Sequence, residues 1–268
     1  MKLSKYIRTY IYQIQNMKRW DFEPSQTKVI ISLTTVPSRI RWLKPTLISL
    51  LRQRPDVIEL NLAKTPLKQD VAWEIPQWLT ALSAVKIFWL DQDYGPASKF
   101  IPTIERHAGE DCKICVVDDD MIYPQDFLSN LLQAHRSYNK PAVFCTSGHK
   151  IWRNLDSSQA PLSEKPGKDP VRVGIIQGCG GYIMQPNYFD LAQLKTINTL
   201  PTDSAKQDDV WISGLLSQSH IPKFRVKVGK RSGTINTLTA SITGARVPPF
   251  NHVLAYFKDA WQKEELVD

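Results

Sequence analysis

Runs of apolar residues along this chain change period repeatedly, and each change marks an element. The segments "KVIISLTT" (28–35), "DVIELNLA" (56–63) and "VKIFWLD" (85–91) are short, β-branched and bounded by polar residues, which predicts buried strands. Helical spacing separates them. "LKPTLISLLRQ" (43–53) is entered through Pro45, "WEIPQWLTALS" (73–83) is interrupted by its proline, and "KFIPTIERHA" (99–108) reads as a third helix. "KICVV" (113–117) predicts a fourth strand, and "PQDFLSNLLQAH" (124–135) a helix with Pro124 near its first turn. Farther on, "PAVFCTS" (141–147) and "KFRVKV" (223–228) read as strands, "DDVWISGLLSQ" (208–218) as a helix, and "HVLAYFKDAWQKEEL" (252–266) as a final amphipathic helix. Between them lie the irregular "VRVGIIQGCGGYIMQP" (171–186) and the polar "NLDSSQAPLSEKPGKDP" (154–170), a loop suited to border a site. Strand alternating with helix predicts an α/β fold with a mostly parallel sheet flanked by helices. Ligands of such sheets bind beyond the carboxyl ends of the strands.

Charge adds one element. Residues 1–22 predict a basic amphipathic helix, with Leu3, Ile7, Tyr10, Ile14 and Met17 on one stripe and Tyr6 and Ile11 widening it. Lys2, Lys5, Arg8, Lys18 and Arg19 bring +5 of the chain's net +8, with no acid among the first 20 residues. Such a helix packs on its own domain or on a partner subunit, or lies in the plane of an anionic membrane surface. No basic patch interleaved with aromatics appears in the remainder, so nucleic acid is not an expected partner. No apolar run is long enough to span a bilayer and no secretory signal is visible, which leads to a cytoplasmic expectation. Four scattered cysteines agree with a reducing compartment. The pair Cys112 and Cys115 gives little support to a zinc or redox motif, because no second pair exists and Cys115 lies within a buried strand.

The chemistry concentrates at "ICVVDDDMIYP" (114–124), where a buried strand ends in Asp118, Asp119 and Asp120. Were the strand to continue, Asp118 and Asp120 would share one face and Asp119 the other. At roughly 6–7 Å and an effective dielectric near 20, such a pair repels by about 2–3 kcal/mol. The arrangement therefore predicts a cation between the carboxylates. A hard divalent ion, Mg2+ or Mn2+, carrying a diphosphate fits oxygen donors of this kind. The plainer reading, acids at the N-terminus of the next helix, needs only one aspartate.

This stretch resembles the strand and D-x-D motif of GT-A-fold glycosyltransferases, which move a sugar from a nucleotide-diphosphate donor. The resemblance runs from about residue 28 to 228. "IISLTTVPSRI" is similar to their first strand and nucleotide loop, and "DYGPASKFIPTIE" to the donor-side segment of a bacterial subgroup. "GCGGYIMQP" resembles their glycine-rich stretch and "QDDVWISGLL" their acidic helix start. It implies that residues 28–268 form one GT-A-like catalytic domain, with 28–150 the donor half and 171–268 the acceptor half. Asp118 and Asp120 would hold the metal and the donor, with Asp119 ambiguous in register. Thr34, Thr35, Pro37 and Arg39 would line the nucleotide pocket, and Asp93 and Lys99 would face the donor. Gly180, Gly181, Asp208 and Trp211 would stand beside the sugar and acceptor. Asp209 would be the general base in an inverting member, and His252, rather than His220, a further metal ligand. The implied partners are a nucleotide sugar, with UDP-sugars favoured, and a glycan or glycolipid acceptor of a bacterial surface, built at the inner face of the membrane. Two other classes compete. A metal-dependent phosphoryl transferase or hydrolase would want a P-loop or a nucleophilic aspartate near the first strand, and "SLTTVPSR" supplies neither. A catalytically inactive membrane- or partner-binding module has no need of intact acidic pairs.

Overall fold

The computed structural model describes residues 27–67, 71–157, 167, 169–199, 207–230, 232–233 and 251–268. The helix expected over 1–22, and most of the polar loop 154–170, lie outside the described residues. The first four strands are β1 (Lys28–Thr34), β2 (Val57–Ala63), β3 (Val85–Leu90) and β4 (Cys112–Val116), each within two residues of its expected bounds. β5 (Met121–Ile122), β6 (Val143–Cys145), β7 (Gly148–His149) and β8 (Ile151–Trp152) follow. β9 (Val171–Arg172), β10 (Ile175–Ile176), β11 (Tyr182–Met184), β12 (Lys223–Arg225), β13 (Ser232–Gly233) and β14 (Leu266–Val267) complete the set. Among the described residues the helices are α1 (Lys44–Leu51), α2 (Gln77–Thr80), α3 (Ile101–Arg106), α4 (Phe127–Ser137), α5 (Leu191–Lys195), α6 (Asp208–Gln218) and α7 (Asn251–Tyr256).

Eight strands form one sheet in the order β3-β2-β1-β4-β11-β6-β12-β9. The block β3-β2-β1-β4 is parallel, as predicted, and so is β6 with β12. β11 is inserted antiparallel between β4 and β6, and β9 closes the edge antiparallel to β12. This places the start of β11 at the carboxyl end of β4, with Tyr182 opposite Val116. Alternate residues of each strand enter opposite cores. Ile30, Ile114, Val116, Tyr182 and Met184 pack with α3, α6 and α7 on one face. Ile31, Leu33, Cys115 and Ile183 pack with α1 and α4 on the other. Strands buried on both faces read as continuous apolar runs, which explains why β1, β2 and β4 were legible.

The carboxyl terminus departs from expectation. The helix predicted over 252–266 ends at Tyr256, and a 3-10 turn Lys263–Glu265 leads into β14, which pairs in parallel with β8. The physical reason is Glu265, which is drawn into the interior by Lys223. Their side chains are both fully buried with Nζ 2.7 Å from Oε1.

Candidate active site

Beyond the carboxyl end of β4 four segments meet. Val117 N–H still donates to Ser32 O (3.1 Å), and the chain then leaves the sheet at Asp118. Asp119 and Asp120 lie in a turn, so the expected face alternation does not reach them. Two cations sort the aspartates instead. Arg39, buried just after β1, places Nη2 3.0 Å from Asp119 Oδ1 and 2.9 Å from Asp120 Oδ2. Thr35 Oγ1 donates to Asp119 Oδ2 (2.5 Å), and Thr46 Oγ1 of α1 to Asp119 O (2.8 Å). Asp119 is thereby a buried anchor of the turn.

Asp118 belongs to a second group. Lys99 ends a 3-10 turn, Gly95–Lys99, and its side chain is buried. Its Nζ lies 2.8 Å from both Asp118 Oδ1 and Asp208 Oδ2, and 3.8 Å from Asp209 Oδ1. Ser32 Oγ donates to Lys99 O (2.6 Å), which fixes the backbone of that lysine to β1. Asp208 and Asp209 form the first turn of α6, but Gln207 is the N-cap; Asp208 serves Lys99 rather than capping the helix. Gly178 N–H donates to Asp209 Oδ1 (2.9 Å) and Ser213 Oγ donates to Asp209 O (2.6 Å). A Cβ at Gly178 would stand against Lys99 Nζ and 2.7 Å from Asp118 Oδ1, so only glycine lets this backbone approach.

The electrostatics follow from the count among the described residues. Asp118, Asp119, Asp120, Asp208 and Asp209 face two described cations, Arg39 and Lys99, so five carboxylates meet two positive charges there. Burial, partly offset by Arg39 and Thr35, pushes Asp119 up to about 7. Burial and the charge of Asp208 push Asp209 up to about 8, against the pull of Lys99. Asp120 and Asp208 are also raised, in each case chiefly by burial. Burial opposes the charge on Lys99, yet Asp118, Asp208 and Asp209 hold it well above its ordinary range. These are the conditions in which protons or an added cation are taken up.

Other expected residues are placed differently. Thr34 Oγ1 donates to Asn61 O (2.7 Å), and Pro37 is buried near Arg39 in sequence. Asp93 organises its own loop, accepting from Gly95 N (2.7 Å), Leu67 N (2.9 Å) and Ser98 Oγ (3.3 Å). Gly180 O accepts from Thr146 Oγ1, and Gly181, at φ +75°, approaches the Phe127 ring. Trp211, expected beside the acceptor, is 1% exposed and packs against Tyr256 and Phe257; its helix turns the ring into the core. His252, expected as a metal ligand, is exposed in the first turn of α7, and its ring does not join Asp118 and Asp120 in a ligand set within 4.8 Å.

Two tyrosines escaped sequence reasoning. Asp118 N–H donates to Tyr123 Oη (3.0 Å). The hydroxyl of fully buried Tyr182 has no hydrogen-bond partner among the described residues, although Lys99, Asp209, Asp208 and Asp118 all act on it. Their place in "DMIYP" and "GGYIM", next to motifs already singled out, was the available signal.

The donor chemistry suits a divalent cation: the side chains are hard oxygen donors and Asp118 and Asp120 keep 29% and 24% of their surface open, although no three of these carboxylates come within 4.8 Å of one another among the described residues.

The fold is that of GT-A-type glycosyltransferases. A mannosyltransferase from Pyrobaculum calidifontis, solved with GDP-Man and Mn2+, superposes with a TM-score of 0.50 at 14% identity, over 84% of this chain and 61% of that one. GalNAc-T7, solved with UDP, GalNAc and Mn2+, superposes with a TM-score of 0.51 at 11% identity, over 78% of this chain and 44% of that one. This chain thus spans less than two thirds of either. An apo UDP-glucose pyrophosphorylase shows a slighter likeness, with a TM-score of 0.47 at 12% identity over 87% of this chain and 98% of that one. No protein-family model and no curated protein sequence matches the chain.

Proposed function

We propose that this chain is a metal-dependent glycosyltransferase that moves a sugar from a nucleotide-diphosphate donor to a hydroxyl acceptor. The observation that carries the reading is the pair of acidic groups meeting across Lys99 at the carboxyl end of β4, where five described carboxylates meet two described cations. Asp118 and Asp120 would hold Mn2+ or Mg2+, which when bound neutralises charge on the departing diphosphate. GDP-Man in one superposed structure, UDP and GalNAc in the other, and Mn2+ in both support this donor class; the sequence resemblance favours a UDP-sugar. Residues 28–150 bind the donor, with Thr34, Thr35, Pro37 and Asp93 at its nucleotide side and Arg39 holding the aspartate turn beneath it. Residues 171–268 bind the acceptor, with Gly180 and Gly181 beside the sugar.

Asp209 takes the proton from the acceptor hydroxyl. Its side chain is 30% exposed and Gly178 N–H orients its Oδ1 (2.9 Å), the open and fixed placement a general base needs. Asp208 and Lys99 keep it oriented. The acceptor is a glycan or glycolipid of a bacterial surface, and residues 1–20 hold the enzyme to the inner, anionic face of the membrane. No described helix is long and apolar enough to cross a membrane.

Calorimetric titration with UDP and GDP, with and without Mn2+, tests the assignment. Asp118→Asn and Asp120→Asn should abolish metal-dependent nucleotide binding. Asp209→Asn should keep it while transfer falls by about 10²–10⁴. Unchanged metal-dependent binding in both of the first two variants would overturn the reading.

A further inference from the structure

At the opposite end of β4, a second cluster is independent of the acidic site. His107 ends α3, Glu110 lies in the following turn and Cys112 opens β4. One ligand atom from each, an imidazole nitrogen, a carboxylate oxygen and the Cys112 thiol, all lie within 4.8 Å of one another. His107 and Cys112 are buried, with 7% and 0% exposure, while Glu110 faces solvent. His107 Nδ1 is 2.9 Å from Glu110 Oε2.

What distinguishes this cluster is the support behind the histidine. His107 Nε2 is 2.8 Å from Glu59 Oε1, and Glu59 is buried in β2. Glu59 is held in turn by Arg106, whose Nη2 donates to its Oε2 (2.6 Å) and to Asn61 Oδ1 (2.6 Å). Without a metal the ring donates from both nitrogens, Nε2 to Glu59 and Nδ1 to Glu110; on metal binding Nδ1 gives its proton to solvent and turns a lone pair to the ion, while Nε2–H stays on Glu59. Carboxylate-backed histidines of this kind are typical of metal ligands. Nitrogen, sulfur and oxygen donors on three side chains suit Zn2+, with solvent as a fourth ligand. Gly109, at φ +82°, supplies the backbone turn that brings Glu110 back over His107.

We propose that His107, Glu110 and Cys112 form a binding site for a thiophilic divalent metal of the Zn2+ class, outside the acidic site. The Cys112 thiol gives its proton to solvent as the metal–sulfur bond forms. Lys28 Nζ, 3.2 Å from Glu110 Oε2, occupies part of the same field and must swing away on binding. The metal ties the end of α3 to the start of β4, the strand whose other end carries Asp118.

Co2+ titration of the chelator-treated full chain tests this, in an Asp118→Asn/Asp120→Asn background that removes both ligands proposed for the acidic site. The expected result is a thiolate-to-Co2+ charge-transfer band in the near ultraviolet at one equivalent. Cys112→Ser and His107→Gln should abolish the band, and Cys179→Ser should retain it. Lys28→Ala, at a half-exposed position that leaves folding intact, should tighten Co2+ binding by about two- to fivefold, the worth of an exposed ion pair. No thiolate band, or a band that survives Cys112→Ser and disappears in Cys179→Ser, overturns the site. Glu110→Gln should weaken Co2+ binding by about tenfold or more, and a Glu110→Gln protein that binds Co2+ as tightly as its parent overturns the three-residue set.

Discussion

Crowded carboxylates make the stability of this chain depend on pH in the direction opposite to most proteins. Asp119 is raised to about 7 and Asp209 to about 8, whereas an aspartate in the unfolded chain titrates near 3.8. Between those limits the folded state holds protons that the unfolded state has released. The stability these two groups contribute is therefore fully present at low pH and is lost as pH rises through the folded values. His135, lowered to about 4 by burial and by Lys113, and His149, lowered by burial, act the other way, but only below their ordinary value of 6.5. Lys223, lowered to about 8 chiefly by burial, matters only above that value. In the window from pH 6.5 to 8 Asp119 and Asp209 lose their protons, and the raised Asp120 and Asp208 act in the same direction. At about 1.4 kcal/mol per unit for each group still protonated, the loss Asp119 and Asp209 bring across it is about 2–3 kcal/mol, some two thirds of it from Asp209. For a chain of this size that corresponds to a fall in Tm of about 5–10 °C. The measurement is thermal unfolding by circular dichroism in chelator, repeated in Asp209→Asn and with saturating Mg2+. The Asp209→Asn protein should lose most of the slope, and Mg2+ should flatten it. A Tm that is constant or rises from pH 6.5 to 8 in the metal-free protein would refute the excess of carboxylates over cations at this site.

Two further perturbations probe the supports of the site. Gly178→Ala places a methyl against Lys99 Nζ and 3.0 Å from its Cε, while the backbone there needs no positive φ. The fold should persist and metal-dependent nucleotide binding should weaken about ten- to a hundredfold by calorimetry, the worth of one charged hydrogen bond. Glu265→Gln leaves Lys223 without its buried counter-charge, at a cost of about 3–5 kcal/mol. Thermal denaturation should show a Tm lower by roughly 10 °C, and adding Lys223→Met should restore part of the loss.

Local pattern was enough wherever a segment is buried on both sides. The bounds of α6 match the predicted 208–218, and β1 to β4 fall close to theirs, because apolar runs between turn residues have few alternatives. The position of the aspartates at a strand end was legible for the same reason. Their grouping was not. Arg39 and Lys99 lie 80 and 19 residues before Asp119 and Asp118, and nothing in "SLTTVPSRI" or "GPASKF" shows which carboxylate each will meet. The resemblance put Trp211 beside the acceptor, and local pattern could not show that its ring faces the core, because α6 is apolar nearly all round and no stripe distinguishes its inner face. Periodicity overextended the last helix, since "QKEE" reads as a solvated face until Lys223 is seen to demand a buried carboxylate. Glu59, inside an apolar strand, was likewise invisible as the partner of Arg106 and His107.

The division of labour between the two cations explains why a triple aspartate is tolerated here. Arg39 is spent on Asp119, which is fully enclosed, and reaches Asp120 with the same nitrogen. That bond holds the turn in place but leaves Asp120 partly open. Lys99 joins Asp118 to Asp208 across the gap between β4 and α6, drawing together segments that would otherwise repel. One cation thus shapes the turn and the other sets the distance between the two acidic groups. Neither offsets all five carboxylates, so the crowding among them is shared as raised proton affinity, most of all on Asp209. Any added positive charge at Asp118 and Asp120 then lowers the proton affinity of Asp209 through the same field. A dication at Asp118 and Asp120 and loss of the proton from Asp209 would for that reason be one electrostatic event, coupled through Lys99.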